Sequence, residues 1–159
     1  MNKLLLFTDG SVNVQSKVGC GASLVISEDE LYAENLVSLV KVKRFENTSS
    51  SRLELQTLLW ALDNVETNER EIKIHTDSQT IVDLLERRER LEKNDFKSKK
   101  NVALNNGELY KAFFLKIDLL TCEFVKIKGH QPTRNKNEIE RVFALVDKAS
   151  RKALRNDSK

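Results

Sequence analysis

The chain has 159 residues, 40% of them apolar and 32% charged, with a formal net charge of +3. That length and composition suit one domain with a sizeable core, expected to span residues 1–159. No apolar run approaches a membrane span, the opening "LLLF" is too short for a signal peptide, and Cys20 and Cys122 show neither metal-ligand spacing nor a disulfide framework, so reduced thiols in a cytoplasmic protein are expected.

In chain order, "KLLLFTD" (3–9) is an apolar run with a polar end and predicts a buried strand. "GCGASLVIS" (19–27) and "LYAENLVSLVKV" (31–42) are strand-like and, with the acidic turn "EDE" between them, predict a hairpin. A helix follows near 50–66, then a strand at "EIKIHTD" (71–77) and a helix at "SQTIVDLLERRE" (78–89). After a basic stretch come a short helix beyond Gly107, a strand at "CEFVKIKG" (122–129) and a last helix near 137–155. Three strands followed by α-β-α-β-α predict one mixed sheet with helices packed on it, an α/β fold.

Charge is unevenly spread. Residues 87–100, "RRERLEKNDFKSKK", hold seven basic and three acidic side chains, and residues 126–159 hold ten basic and four acidic ones. The rest of the chain is therefore acidic, at −7. Two basic segments on an acidic body suit a polyanionic partner; two solvated helix surfaces are the alternative.

Four carboxylates stand out against this background. Asp9 in "FTDGS" and Asp77 in "IHTDSQ" close strand patterns, and in α/β folds ligands gather at the carboxyl ends of strands. Taken singly, Asp9 would only open a turn with Gly10 and Asp77 would only cap the helix that starts at Ser78. Glu54 is harder to explain. Leu58, Ala61 and Val65 form the buried stripe of "SSRLELQTLLWALDNV", and one turn back the stripe lands on Glu54. A buried carboxylate is costly unless it is paired, here with Arg52, reaches water at the helix end, or coordinates a metal. In the last helix Ile139, Val142, Phe143, Val146, Ser150 and Ala153 define the inner face, and Asp147 lies at its edge. Four converging carboxylates call for divalent cations, and hard oxygen donors without a Cys/His cluster favour Mg²⁺ or Mn²⁺ over zinc. Two such ions suit in-line cleavage of a phosphodiester, which would give the basic segments a nucleic-acid substrate.

These residues resemble a known family. "FTDGS", "SRLELQTLLWAL", "IHTDSQ" and "KGH" followed by "VDKASRKAL" are similar, in order and approximate spacing, to the motifs of type 1 ribonuclease H, from about Lys3 to Leu154. The resemblance implies an RNase H-like fold: a mixed five-stranded sheet, a three-strand antiparallel meander plus parallel strands, flanked by helices. It further implies hydrolysis of the RNA strand of RNA–DNA hybrids with two Mg²⁺ ions, Mn²⁺ being a substitute, leaving 3′-hydroxyl and 5′-phosphate ends. Asp9, Glu54, Asp77 and Asp147 match the family's metal-binding acids. His130 in "IKGHQ" matches the mobile-loop histidine that assists proton transfer or product release, whereas His75 reads as a strand side chain near the site.

Substrate contacts follow from the same resemblance. Gly10, Ser11 and Asn13 flank the first acid, although "VNVQSKVGCG" replaces the usual glycine- and proline-rich loop. Ser49 matches a phosphate-binding threonine, and Ser50 and Ser51 stand where asparagines usually touch the minor groove. Gln79 matches a residue that reaches that groove. Residues 87–101, with Lys97, Lys99 and Lys100, fall where many members carry a basic handle, here with Phe96 in place of tryptophans. The segment "HQPTRNKNEIERVFALVD" is longer than is common, which brings Glu138 and Glu140 near the fourth acid; only Asp147 precedes "KASRKAL". The expected partner is an RNA–DNA hybrid, bound by a monomer without a membrane. A non-catalytic hybrid- or duplex-binding module of the same fold is the alternative, and a phosphorylatable receiver domain is a more distant one with no need for Glu54.

Overall fold

The computed structural model describes residues 2–128 and 137–157, and in it the first strand runs well past its apolar residues. Strand β1 spans Leu4–Asn13 and pairs antiparallel along its whole length with β2, Val18–Ser27. Asn13 closes the turn between them: its Oδ1 accepts from the amides of Gln15 and Ser16 at 3.0 and 3.2 Å. The first hairpin is therefore β1–β2.

The strand expected at 31–42 is shorter and later. Two 3₁₀ turns, Glu28–Glu30 and Leu36–Leu39, follow β2, and strand β3 covers Lys41–Phe45, pairing antiparallel with Gly19–Ser23. The backbone gives the reason: Asn35 adopts a left-handed conformation (φ 63°), which an extended chain does not tolerate. The apolar letters of 31–40 belong to a loop, in which Leu36 is buried and Leu31 and Val40 pack on the core.

Helix α1 spans Ser50–Asp63, strand β4 Ile72–Thr76, and helix α2 Gln79–Glu86. The pattern read as one helix over 78–89 is interrupted at Arg87, beyond which α3 covers Arg88–Lys93. Helix α4 is Gly107–Asp118, strand β5 Cys122–Lys126, and helix α5 Glu138–Asp157. The sheet order is β3-β2-β1-β4-β5, with β4 parallel to β1 and β5 parallel to β4. This is the expected antiparallel meander joined to parallel strands. No helix among the described residues is long and apolar enough to cross a membrane.

Strand alternation divides the core in two. Leu4 and Leu6 join Ile72, Ile74, Leu58, Ile81 and Phe113 under α1, α2 and α4. Leu5 and Phe7 join Ala22, Leu24, Val142, Phe143 and Val146 under α5. A central strand covered on both sides loses its polar alternation, which is why "LLLF" reads as a continuous run. Helix α1 approaches the meander so closely that a Cβ on Gly21 would lie 2.2 Å from Thr57 Oγ1, and one on Gly10 would lie 2.9 Å from Leu53 Cδ2.

His75 lies in the sheet, 3% exposed, its ring stacked on Phe7 with centroids 4.8 Å apart. Neither ring nitrogen has a hydrogen-bond partner among the described residues, and burial pushes its pKa down to about 4. Between that value and the ordinary histidine range the unfolded chain binds more protons than the folded one, so this residue makes the fold less stable as pH falls through the window. Replacing His75 by Phe should remove about 2 kcal/mol of the stability lost between pH 7 and pH 4.5, measured by urea unfolding at both values. An unchanged acid loss would mean that the imidazole is not the buried neutral group.

Candidate active site

Asp9 does not end its strand. It sits two residues past Phe7–His75, the last pair between β1 and β4, at the level where β4 stops and β1 continues into its hairpin. Asp77 directly follows β4. Residues 5, 7 and 9 of β1 alternate onto the α5 side of the sheet, so Asp9 is directed toward the helix that carries Asp147.

The electrostatics tie the acids together in sequence. The Asp9 carboxyl is pushed up to about 8, first by burial, then by the charge of Asp77 and a hydrogen bond with Asp147, against an opposing bond from the Gly10 amide. The Glu54 carboxyl is raised by burial and by Asp77, against hydroxyl hydrogen bonds from Ser78 and Thr80. Glu54, Asp77, Asp9 and Asp147 are therefore linked electrostatically in a row: Asp77 acts on Glu54 and on Asp9, and Asp147 acts on Asp9. Among the described residues no three His, Cys, Asp or Glu side chains are already gathered as a metal cage. The donors are nonetheless all hard oxygens whose mutual repulsion a divalent cation would relieve, a set that suits Mg²⁺ or Mn²⁺ and not zinc.

Several side chains that the sequence offered as alternatives have partners of their own. Arg52 does not pair with Glu54; its guanidinium reaches Glu108 at 2.7 Å and Asn106 at 3.2 Å. Ser78, and not Asp77, caps α2 by accepting from the Ile81 amide. Glu138 pairs with Arg141 at 3.5 Å, and the carboxylates acting on Asp9 are those of Asp77 and Asp147. Asp147 also holds Arg151 at 3.0 Å.

Several expected substrate contacts have structural partners. Gly10 lies under Leu53, and Asn13 closes the hairpin. Ser150 Oγ donates to the Asp147 carbonyl at 3.0 Å, so Ser11 Oγ, 3.1 Å away, is the donor in their shared bond. Ser49 caps α1 by accepting from the Arg52 amide at 3.3 Å, while Ser50 and Ser51 occupy the first turn, exposed and half-buried. Gln79 donates to Asp83 at 2.7 Å and accepts from Lys126.

Beside the start of α1 opens a polar cleft of about 440 Å³ that includes Lys17, Thr48, Ser49, Arg52, Gln56 and Asn106. Lys17 and Asn106 carry no motif, and only folding brings them from the β1–β2 turn and the start of α4 to Arg52 of "SRLELQTLLWAL". Lys97, Lys99 and Lys100 lie on an exposed turn closed by a Lys97–Ala103 bridge and a Ser98 amide bond to the Val102 carbonyl at 2.8 Å. Phe96 anchors it, its ring 6.3 Å from that of Phe114 with Lys111 Nζ at 5.5 Å. His130 lies outside the described residues.

A chain from a structure described as the foamy viral protease-reverse transcriptase in complex with dsDNA has the same fold: TM-score 0.67, 16% identity, 94% of each chain covered. No curated protein matches the sequence. The family model of RNase H matches residues 1–154. That span takes in all four carboxylates, every strand and nearly all of α5, and the chain belongs to the RNase H family.

Proposed function

We propose that the protein is an endoribonuclease that hydrolyses the RNA strand of RNA–DNA hybrids, leaving 3′-hydroxyl and 5′-phosphate ends. The observation that carries this reading is the row of carboxylates, with Asp9 pushed up to about 8 by burial and by Asp77 and Asp147. A protein that only binds nucleic acid gains nothing from placing such charges against phosphates. Family membership supports nuclease action on hybrids in general terms.

Asp9, Glu54, Asp77 and Asp147 would hold Mg²⁺, with Mn²⁺ as a substitute. Two such ions, when bound, supply an activated water and neutralise the leaving oxygen. The chain's own groups do the rest. Ser49, Lys17 and Arg52 in the polar cleft would seat a phosphate of the DNA strand, where a cation and short polar donors suit an anion. Ser50, Ser51 and Gln79 would face the shallow minor groove of the hybrid, in which 2′-hydroxyls are readable. Ser11 and Asn13, on the same hairpin as Asp9, and Gly10 beside it would line the approach of the RNA strand. His130 would assist proton transfer or product release, a role that rests on its "KGH" motif. A cytoplasmic monomer completes the reading.

The test is a cleavage assay of a hybrid, duplex RNA, duplex DNA and single-stranded RNA, each with and without Mg²⁺. Cleavage of the hybrid alone, and only with Mg²⁺, is expected, and would eliminate the non-catalytic alternative. No turnover of the hybrid would overturn the proposal.

The exposed turn offers a second measurement. Substituting Lys97, Lys99 and Lys100 together by Ala should raise KM for the hybrid about tenfold at near-physiological salt and leave kcat within about twofold, because phosphate contacts bind through released counterions. The variant should also lose part of the wild type's salt sensitivity. An unchanged KM would make the turn a solvated surface only.

A further inference from the structure

Glu54 leaves α1 towards α2 and is met by the first residues of that helix. Ser78, only 3% exposed, donates its hydroxyl to Glu54 Oε2 in a short bond of 2.5 Å, and the Thr80 hydroxyl also favours the charged form of Glu54. The same Ser78 oxygen accepts from the Ile81 amide at 3.2 Å, capping α2. A hydroxyl has one proton and two lone pairs. Ile81 uses a lone pair, so the proton is left for Glu54. Ser78 is itself pinned, since its amide donates to Thr76 Oγ1 at 3.0 Å, at the last residue of β4. One small side chain thus links the end of β4, the start of α2 and a carboxylate of α1.

We infer that Ser78 is a positioning residue that holds Glu54 in the row of acids, in the orientation needed to ligate a divalent cation. This inference rests on the metal-dependent nuclease reading above. The physical need is clear from the neighbours: the charge of Asp77 repels Glu54, and an unrestrained glutamate has three torsions through which to swing towards water. Without the hydroxyl the row keeps its charge and loses its geometry. Partners that orient a ligand carboxylate commonly change metal affinity by an order of magnitude.

The experiment compares Ser78→Gly, Ser78→Thr and Glu54→Gln. Glycine is nearly as good a helix N-cap as serine, so Ser78→Gly removes the Glu54 contact with little cost to α2; threonine keeps both. Two readouts are taken: Mn²⁺ binding to the substrate-free protein, from the EPR signal of the free ion, and the Mg²⁺ dependence of hybrid cleavage. Ser78→Gly should weaken Mn²⁺ binding about tenfold and raise the half-saturating Mg²⁺ by a similar factor, with KM for the hybrid unchanged. Ser78→Thr should stay within about twofold of wild type in both. Should the glycine variant melt below the assay temperature, Ser78→Ala, which keeps a Cβ, is measured in its place with the same expectation. Wild-type Mn²⁺ binding and Mg²⁺ response in the hydroxyl-free variant, or failure of threonine to restore them, would overturn the role of Ser78. Glu54→Gln cleaving at the parental rate would instead overturn Glu54 as a ligand, and with it the reading on which the inference stands.

Discussion

Asp9→Asn is expected to abolish the proposed hybrid cleavage, by at least about 10³-fold in kcat, and to leave the Kd for the hybrid within about threefold of wild type. The asparagine keeps the size of the side chain and its place between Asp77 and Asp147, and removes the charge that the metal ions would need. Substrate affinity should persist, because most of the proposed contacts, those of the cleft, the α1 serines and the basic turn, are made by side chains other than Asp9. The same variant is expected to be more stable than wild type when no metal is present. The Asp9 carboxyl is pushed up to about 8, so between the ordinary aspartate range and pH 8 the folded state binds a proton that the unfolded state has released. Stability from this group is present at low pH and is lost as pH rises through that window. Asp9→Asn should therefore raise Tm at pH 8 by about 5 °C, with little gain at pH 4, read by thermal scans in EDTA. Asp77→Asn should likewise abolish cleavage, since Asp77 acts on both Asp9 and Glu54. If either variant cuts at the parental rate in Mg²⁺, the row of acids is not the reaction centre.

Gly21→Ala should lower Tm by about 10 °C, read by thermal scans. The added methyl would sit 2.2 Å from Thr57 Oγ1, 2.7 Å from its Cγ2 and 2.9 Å from its Cβ, and no rotamer of Thr57 moves the Cβ away. Helix α1 must then lift from β2. Because Glu54 lies one turn before Leu58 on the same helix, activity should fall further than the loss of folded protein accounts for. Thr57→Ala in the same chain removes two of the three close contacts and should recover more than half of the lost Tm. Full activity and Tm in Gly21→Ala would mean that α1 does not depend on the bare backbone of β2.

Much of this arrangement is legible in the letters. The stripe Leu58, Ala61 and Val65 shows which face of α1 is inward, and hence that Glu54 is out of place. The apolar positions Val142, Phe143, Val146 and Ser150 mark the inner face of α5 correctly, all four being buried, with Asp147 half-buried at its edge. Where reading fails, the cause is local. Residues 31–40 have a strand's composition, but their apolar side chains cover the core from a loop, and a left-handed Asn35 is not visible in a hydrophobic pattern. The continuation of β1 to Asn13 is hidden for a related reason: beyond Thr8 its letters turn polar where β4 no longer pairs beside it, while its backbone pairing with β2 continues.

What the sequence by itself determined is therefore the class of fold, the identity of four unusual carboxylates and the family whose motifs they match, because burial periodicity and motif spacing are properties of a single chain segment. What only the tertiary structure decided is who partners whom. Arg52 turns to Glu108 and not to Glu54, Ser78 gives its one proton to a carboxylate 24 residues away, and Lys17 meets Arg52 and Asn106 across a cleft. Such pairings depend on distances between elements remote in the chain, and those are set by how closely α1 packs on Gly10 and Gly21 and by where β4 stops beside β1.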